Sequence, residues 1–524
     1  MVAQTIAAAW RSCGYARRSG RLPSFWHSVV IALVLTAVCL PFLYVIWRAG
    51  QVGFTRGFDL LWRPRVAQLL FNTVALMVSV TAATVLLGAG AAWCVERTDL
   101  PGRQAWAVLF SMPLSIPAFV GSYTWVSISP IFEGYGGAVL ILTLATYPLV
   151  YLPVSAALRG LDPALEEVSQ SLGRNRWQTF WRVVLPQLKP ALGAGALLVS
   201  LHMLAEFGAL ALLRYQTFTT AIFEEYELEF SNASAALLAF VLLLLCVPLI
   251  VFELRVRGGV RLAKVGKGAR RPVTRVPLGR WRWPVLGVFT ALMTAALLVP
   301  LGTLAYWLTH GTSAGIDWGS LLESTGDSLS LSLAGALCTV LCTVPLVLAA
   351  MRYKALFGDW LDRIPYVVHA LPGLVIALSL AFFSITYVSW AYQSWLLILV
   401  AYVVLYLPLA QASVRAALEQ LPTSLEDVGR ALGHSPWSVF CKITLPCIAP
   451  GVAAGGALVF LQLMKELTAT LILAPIGVDT LSMQVWSETN NSAFAAAAPY
   501  AAVLILISGI PVHILRKAVY FDAQ

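Results

Sequence analysis

Charged residues are scarce in this chain. Only 11% of its 524 residues are Asp, Glu, Lys or Arg, against about 25% in a soluble domain. A surface built from so few charges faces lipid, which excludes a soluble enzyme. Acids are missing altogether from the first 28 residues, which carry Arg11, Arg17, Arg18 and Arg21. No small-residue cleavage site follows, so no removable signal peptide is read there, and the run 29–47 is long enough to stay as a span. The eight cysteines include no CxxC pair, so neither a disulfide framework nor a zinc site is expected. Cys338 and Cys342, four apart, read as small apolar residues of a span. A G-x-x-x-x-G-K-[ST] loop is also missing. The nearest stretch, Gly266-Lys267-Gly268, lacks the hydroxyl and the preceding strand, so no nucleotide is expected on this chain.

What the chain does have is apolar length: 59% hydrophobic residues and a mean hydropathy of +0.79. A helix of about 20 residues crosses a bilayer. Twelve runs reach that order of length, and they fall into two sets of six. The first set is 29–47, 68–93, 105–128, 137–158, 189–212 and 233–253; the second is 285–308, 328–350, 364–387, 394–414, 449–473 and 496–515. The expected fold is therefore an all-α polytopic membrane protein. Its segments are a cytoplasmic N-terminal stretch 1–28, a first six-helix unit 29–253, a linker 254–284, a second six-helix unit 285–515 and a tail 516–524. The linker holds ten Lys or Arg and no acid, which marks it as cytoplasmic. It reads as a topology-setting connection rather than a nucleic-acid surface. Each half then starts and ends inside, a parallel repeat about an axis along the membrane normal. The loop 213–232, with Glu224, Glu225, Glu227 and Glu229, falls outside. The loop 48–65 also falls outside, although it carries Arg48, Arg56, Arg63 and Arg65, against the positive-inside tendency.

One polar segment occurs twice. Residues 165–186 read LEEVSQSLGRNRWQTFWRVVLP and residues 425–446 read LEDVGRALGHSPWSVFCKITLP; over 161–195 and 421–455, at an offset of 260, 13 of 35 positions are identical. Asp162-Pro163 and Pro422-Thr423 begin helices. Glu166 and Glu167, or Glu426 and Asp427, place acids in the first turn, where the helix dipole favours them. Gly173 and Gly433 end those helices. A second short amphipathic helix follows with Trp177, Phe180 and Trp181, or Trp437 and Phe440, and Leu-Pro closes each copy. The product is a helix-turn-helix lying flat on the cytoplasmic face. Its aromatics and acids suit a groove on a partner protein better than a lipid surface, which favours basic polar faces.

These residues carry a resemblance. The pattern E-A-A-x3-G-x9-I-x-L-P marks permease subunits of ATP-binding-cassette importers. Here it reads Glu167-Val168-Ser169, Gly173 and Val183-Val184-Leu185-Pro186, and again Asp427-Val428-Gly429, Gly433 and Ile443-Thr444-Leu445-Pro446. The spacing matches at each anchor; both alanines are replaced in both copies, and the second copy has Asp for Glu. The resemblance implies that Glu166, Glu167, Gly173, Leu185, Pro186, Glu426, Asp427, Gly433, Leu445 and Pro446 form two coupling segments that dock into a separate ATPase. It implies two ATPase copies that bind ATP and magnesium, an extracytoplasmic substrate-binding protein, a bacterial inner membrane and no enzymatic chemistry in this chain.

Two stretches, 205–223 and 465–486, are similar to fused two-half permeases for ferric iron. Related permeases for thiamine, sulfate, polyamines or phosphonates share the architecture, and an ion-driven secondary transporter is the alternative from another class. Glu206 and Glu466 stand at the 260 offset, each inside an apolar run where an ionisable group is costly and functional by default. His202 and Gln462 lie one turn earlier, on the same helix face. These four are the candidate translocation-path residues, with Glu206 and Glu466 as transient ligands of a passing metal; packing between helices is the competing role. Lys465 points elsewhere on its helix, with another acid as one partner open to it.

Overall fold

The computed structural model describes residues 25–51, 58–59, 61–227, 232–259, 275–311, 316–352, 359–369 and 371–521. The arginines of the first 28 residues, and 260–274 of the expected linker, lie outside these. Among the described residues the regular structure is helical, apart from one isolated bridge between Thr98 and Val276.

The first half builds α1 (Phe25–Gln51), α2 (Pro64–Arg97), α3 (Arg103–Leu109), α4 (Ala118–Ile128), α5 (Tyr135–Thr146) and α6 (Pro148–Gly160). There follow α7 (Pro163–Ser171), α8 (Arg176–Thr179), α9 (Leu185–Ala205), α10 (Gly208–Leu212), α11 (Phe218–Glu227) and α12 (Asn232–Gly259). The second half repeats the pattern with α13 (Arg282–Met293), α14 (Val299–His310), α15 (Trp318–Arg352), α16 (Asp359–His369), α17 (Gly373–Tyr387) and α18 (Trp395–Gln420). It closes with α19 (Thr423–Ala431), α20 (Pro436–Val439), α21 (Leu445–Met464), α22 (Thr468–Leu473), α23 (Leu481–Asn490) and α24 (Phe494–Phe521). Proline opens α2, α6 and α7 at the first helical position, where its missing N–H removes no bond. Three π-helical turns, Phe180–Val184, Thr294–Leu298 and Phe440–Thr444, each run into a helix whose second residue is proline (Pro186, Pro300, Pro446). A proline there cannot donate to the carbonyl four residues back, and the widened turn absorbs the lost bond.

Nine helical stretches among the described residues are long and apolar enough to cross a membrane, or ten if one bent pair is a single span. Two shorter apolar helices, Gly373–Tyr387 and Phe494–Gly509, lie in the remaining expected runs. Each of the twelve expected runs therefore falls on helix, but several are not straight. The third run bends by 88° between Arg103–Ser115 and Ala118–Ile128, at extended Pro117. Its counterpart in the second half breaks before α17 at extended Pro372. The fifth run of each half breaks as well, at Glu206 and at Lys465–Leu467. Pro117 and Pro372 each begin a new helix instead of continuing one, because proline disfavours helical geometry in the residue before it.

The chain packs as two compact units. The smaller comprises Met1–Leu40, Gly335–His369 and Tyr402–Val459; the larger comprises Pro41–Ala334, Ala370–Ala401 and Phe460–Gln524. In the larger unit α2 lies along α6 and α9. A methyl group on Gly195 of α9 would stand 3.0 Å from Val150 Cα of α6. In the smaller unit, one on Gly455 of α21 would stand 3.2 Å from Ser413 Cβ of α18. Both contacts use a small residue for close approach, as membrane helices do. Buried Phe110 and Tyr151, with Phe289, form an aromatic centre of the larger unit, Phe110 meeting the Phe289 ring edge-on at 4.8 Å.

The basic loop before α2 has an acidic partner. Arg65 pairs with Glu224 at 3.3 Å and Glu225 at 3.2 Å in α11, so the arginine that offends the positive-inside tendency is neutralised by the glutamates of 213–232 at the same end of the molecule. Cysteines placed singly at Trp62 (79% exposed) and Trp177 (67% exposed), in a background without native cysteines, should then differ in intact cells. An impermeant thiol reagent is expected to label position 62 and spare position 177; the reverse pattern would invert the orientation.

Candidate functional site

The first copy of the repeated segment folds from its own sequence. Asp162 caps α7 by accepting from Ala164 N at 3.0 Å, with Pro163 at the first helical position. The helix ends in a left-handed Gly173, φ 83°. Gly173 N donates to Gln170 O (3.0 Å) and Arg174 N to Ser169 O (3.3 Å), the paired bonds of a Schellman turn. Asn175 and Gln178 then form a reciprocal capping box on α8. Ser169 and Thr179 hydroxyls meet at 3.0 Å and tie the two helices together.

The second copy reaches the same shape with other contacts. Gly433, φ 84°, closes α19 with Gly433 N donating to Arg430 O (3.0 Å) and His434 N to Gly429 O (3.2 Å). Ser435 caps α20 by accepting from Ser438 N at 3.2 Å. At the positions of Ser169 and Thr179 stand Gly429 and Val439, and a methyl group on Gly429 would lie 2.7 Å from Ile443 Cδ1 and 3.2 Å from Val439 Cγ2. An apolar contact has replaced the hydroxyl pair, which accounts for one departure from the alanine pattern.

Both copies leave the same side chains bare. Leu165, Val168, Leu172 and Trp177 are 50%, 56%, 74% and 67% exposed, and their counterparts Leu425, Val428, Leu432 and Trp437 are 45%, 56%, 74% and 69% exposed. A contiguous apolar face of this kind on a polar hairpin marks an interaction surface. Trp181 is exposed too, but Phe180 is turned inward onto Trp93 at 4.8 Å, and Phe440 is half-buried. The expected exposed aromatics thus reduce to the tryptophans, because the phenylalanines anchor the hairpin.

The paired acids divide their work. Glu166 contacts Arg97 at 2.8 Å, as an ion contact without hydrogen-bond alignment. Arg97 is 2% exposed and also donates to Leu158 O at 3.3 Å. Glu426, 3% exposed, is gripped by both terminal nitrogens of Arg352 and accepts from Thr444 Oγ1 at 2.8 Å. Glu166 and Glu426 therefore face their own chain, while Glu167 is exposed and Asp427 half-buried. Removing one partner of a buried ion pair costs about 3–5 kcal/mol because the other charge is stranded. Arg97 and Arg352 lie outside the repeated motif. Each is the last residue of its helix, α2 and α15; that placement was the available signal, and motif spacing does not carry it. The chain returning from the linker joins the first junction: Val276 N donates to Arg97 O (2.9 Å), Asp99 N to Val276 O (3.3 Å) and Leu278 N to Asp99 Oδ1 (2.7 Å). Leu185 and Leu445 follow the π-helical turns, with Pro186 and Pro446 exposed beside them.

The path candidates lie at helix breaks, not in helix interiors. Glu206 is the first residue past α9, and its Oε1 accepts from Ala209 N at 3.0 Å while its carbonyl accepts from Thr219 Oγ1 at 2.7 Å. Glu466 lies just past α21; its Oε1 accepts from Ala469 N at 2.9 Å and its carbonyl from Thr470 Oγ1 at 3.2 Å. Each carboxylate accepts from the first turn of the short helix that follows, from one residue before the N-cap position held by Phe207 or Leu467. His202 Nε2 stands 3.4 Å from Glu206 Oε2, as its spacing suggests. Gln462 is exposed, and no hydrogen bond joins it to Glu466. Among the described residues Lys465 pairs with no acid: its Nζ donates to Leu114 O at 2.8 Å, in the bend of the third run. A methyl group on Gly208 would stand 2.8 Å from Leu467 Cδ2, so the two glutamate-capped breaks adjoin in the larger unit. Among the described residues no group of three or more His, Cys, Asp and Glu is arranged to hold a resident metal.

A family model described as binding-protein-dependent transport system inner membrane component matches residues 84–261 and again 342–520. The chain is similar to Fe(3+)-transport system permease protein FbpB 2 of Haemophilus influenzae, 49% identical over 95% of this chain and 99% of that protein. A putative ferric transport system permease protein FbpB 1 of the same organism is 23% identical over 88% of this chain and 80% of that protein. The sulfate transport system permease protein CysT of Escherichia coli is 27% identical, over 42% of this chain and 88% of that protein.

Proposed function

The chain belongs to the family of binding-protein-dependent transport system inner membrane components, and on that premise we propose that it forms the translocation path of an ATP-driven importer of ferric iron. It is a multi-pass inner-membrane protein whose family works with a substrate-binding protein and an ATPase. The carrying observation is the exposed apolar stripe found on both coupling hairpins, at the same offset and nearly the same exposure. Two like surfaces suit two copies of one partner, so two ATPase subunits dock, one per hairpin. ATP and magnesium are held by those subunits. The Glu167 carboxylate and the tryptophans enter the ATPase cleft; ATP-driven closure moves the hairpins, and the path alternates between outward and inward openings.

Iron as cargo is supported by similarity along nearly the whole chain to a ferric permease, and by the charge of the path. Glu206 and Glu466 attract a cation and repel sulfate. The sulfate permease, similar to about half of this chain, is the weaker guide. With its ATPase and binding protein supplied, in cells lacking other iron systems, the chain should support uptake of radiolabelled ferric iron that depends on ATP. Transport of sulfate, thiamine, a polyamine or a phosphonate without iron would overturn the cargo and leave the permease assignment standing.

A further inference from the structure

The geometry points to Arg97 and Arg352 as positioning residues that fasten each coupling hairpin to the end of the second long helix of its own half, so that hairpin movement is delivered there directly. This rests on the reading of the hairpins as ATPase docking elements.

The covalent routes out of the first hairpin are of two kinds. Leu161 and Asp162, between α6 and α7, have extended backbone. On the other side α8 runs through a π-helical turn into α9 as one helical stretch, Arg176–Ala205. The side-chain route is short, and buried at its arginine end. Glu166 touches Arg97, whose side chain is 3% exposed, at 2.8 Å. Arg97 is the last residue of a 34-residue helix that lies along α6 and α9. At low local dielectric a contact of opposite charges is strong, and pulling it apart strands a buried guanidinium. The hairpin and the end of α2 therefore move together. Val276 N holds the carbonyl of Arg97 as well, so the stretch after the linker is part of the same junction.

The second half repeats this fastening by other means. Arg352 ends the 35-residue α15 and clamps Glu426 with two nitrogens, while Thr444 Oγ1 donates to the same carboxylate. The arginines do not obey the 260 offset that relates the glutamates, and Val184 stands where the second copy has Thr444. The pairing has been kept while the spacing and the supporting contacts changed, which is what a mechanical requirement at that joint produces.

The test uses the whole transporter in proteoliposomes and reads substrate transported per ATP hydrolysed. Arg97→Met with Glu166→Gln removes both charges and strands neither, and is expected to lower that ratio by about fivefold or more. Arg97→Lys keeps the cation and is expected to stay within about twofold of wild type. A cysteine at 174 cross-linking to the ATPase subunit monitors docking. Loss of that cross-link in the otherwise unaltered chain would refute the docking reading itself. With docking intact, a neutral pair that keeps the wild-type ratio, or an Arg97→Lys variant as uncoupled as the neutral pair, would overturn the positioning role. So would loss of the cross-link in the neutral pair alone, since the charges would then serve docking.

Discussion

Replacing Glu206 and Glu466 together by glutamine is expected to reduce ferric iron uptake by about a hundredfold, roughly tenfold for each carboxylate, if each lowers the passage barrier for the cation by about 1.4 kcal/mol. The structure makes this substitution clean. Each glutamate Oε1 caps a short helix, accepting from Ala209 N or Ala469 N, and glutamine retains an oxygen for that bond. Folding and ATPase docking should therefore persist while the charge is lost. Alanine at the same positions removes the cap too, at a further cost of about 1 kcal/mol per site, so the alanine variants should lose thermal stability in detergent and the glutamine variants should not. Uptake measured with radiolabelled iron, beside unfolding temperatures, separates the two roles. Normal uptake by the double glutamine variant would leave both residues as helix caps alone.

Valine at both Gly173 and Gly433 is expected to abolish substrate-stimulated ATP hydrolysis while the protein still inserts. Both glycines hold positive φ, 83° and 84°, and a methyl group on either would meet nothing within 4 Å. The strain would come from the backbone alone. A β-branched residue in that region costs about 1–3 kcal/mol. The chain escapes it by opening the Schellman turn, which separates Leu172 and Leu432 from the tryptophans that complete each apolar face. Asparagine tolerates the left-handed conformation and should keep most of the coupling. Hydrolysis stimulated by loaded binding protein in vesicles is the measurement. Wild-type stimulation in the double valine variant would refute these hairpins as the docking elements.

Much of the architecture was legible without coordinates, for identifiable reasons. Apolar runs of span length report helices because a lipid-facing backbone must satisfy its own hydrogen bonds, and each of the twelve runs falls on helix. Glycine and proline act locally, so Gly173, Gly433, Pro163, Pro186 and Pro446 marked turns and starts that the structure retains. The duplicated motif survives as a duplicated hairpin, since its caps and turn lie within a few residues of one another.

What escaped the sequence was contact over distance. Arg97 and Arg352 are unremarkable helix-end cations until the chain folds α7 against α2 and α19 against α15. Arg65 offended the charge rule until Glu224 and Glu225 came beside it. An acid was one partner open to Lys465, and the fold gives it the Leu114 carbonyl in the bend of the third run. The apolar pattern runs on past Glu206 and Glu466 without a signal for the helix breaks that the structure has there. The sequence by itself determined the all-helical membrane class, the two halves and the duplicated hairpin, because periodicity, composition and turn chemistry are local. Only the tertiary structure decided which acid of each hairpin is fastened inward, and where the spans break, because those depend on which charges and carbonyls burial brings within about 3 Å of one another.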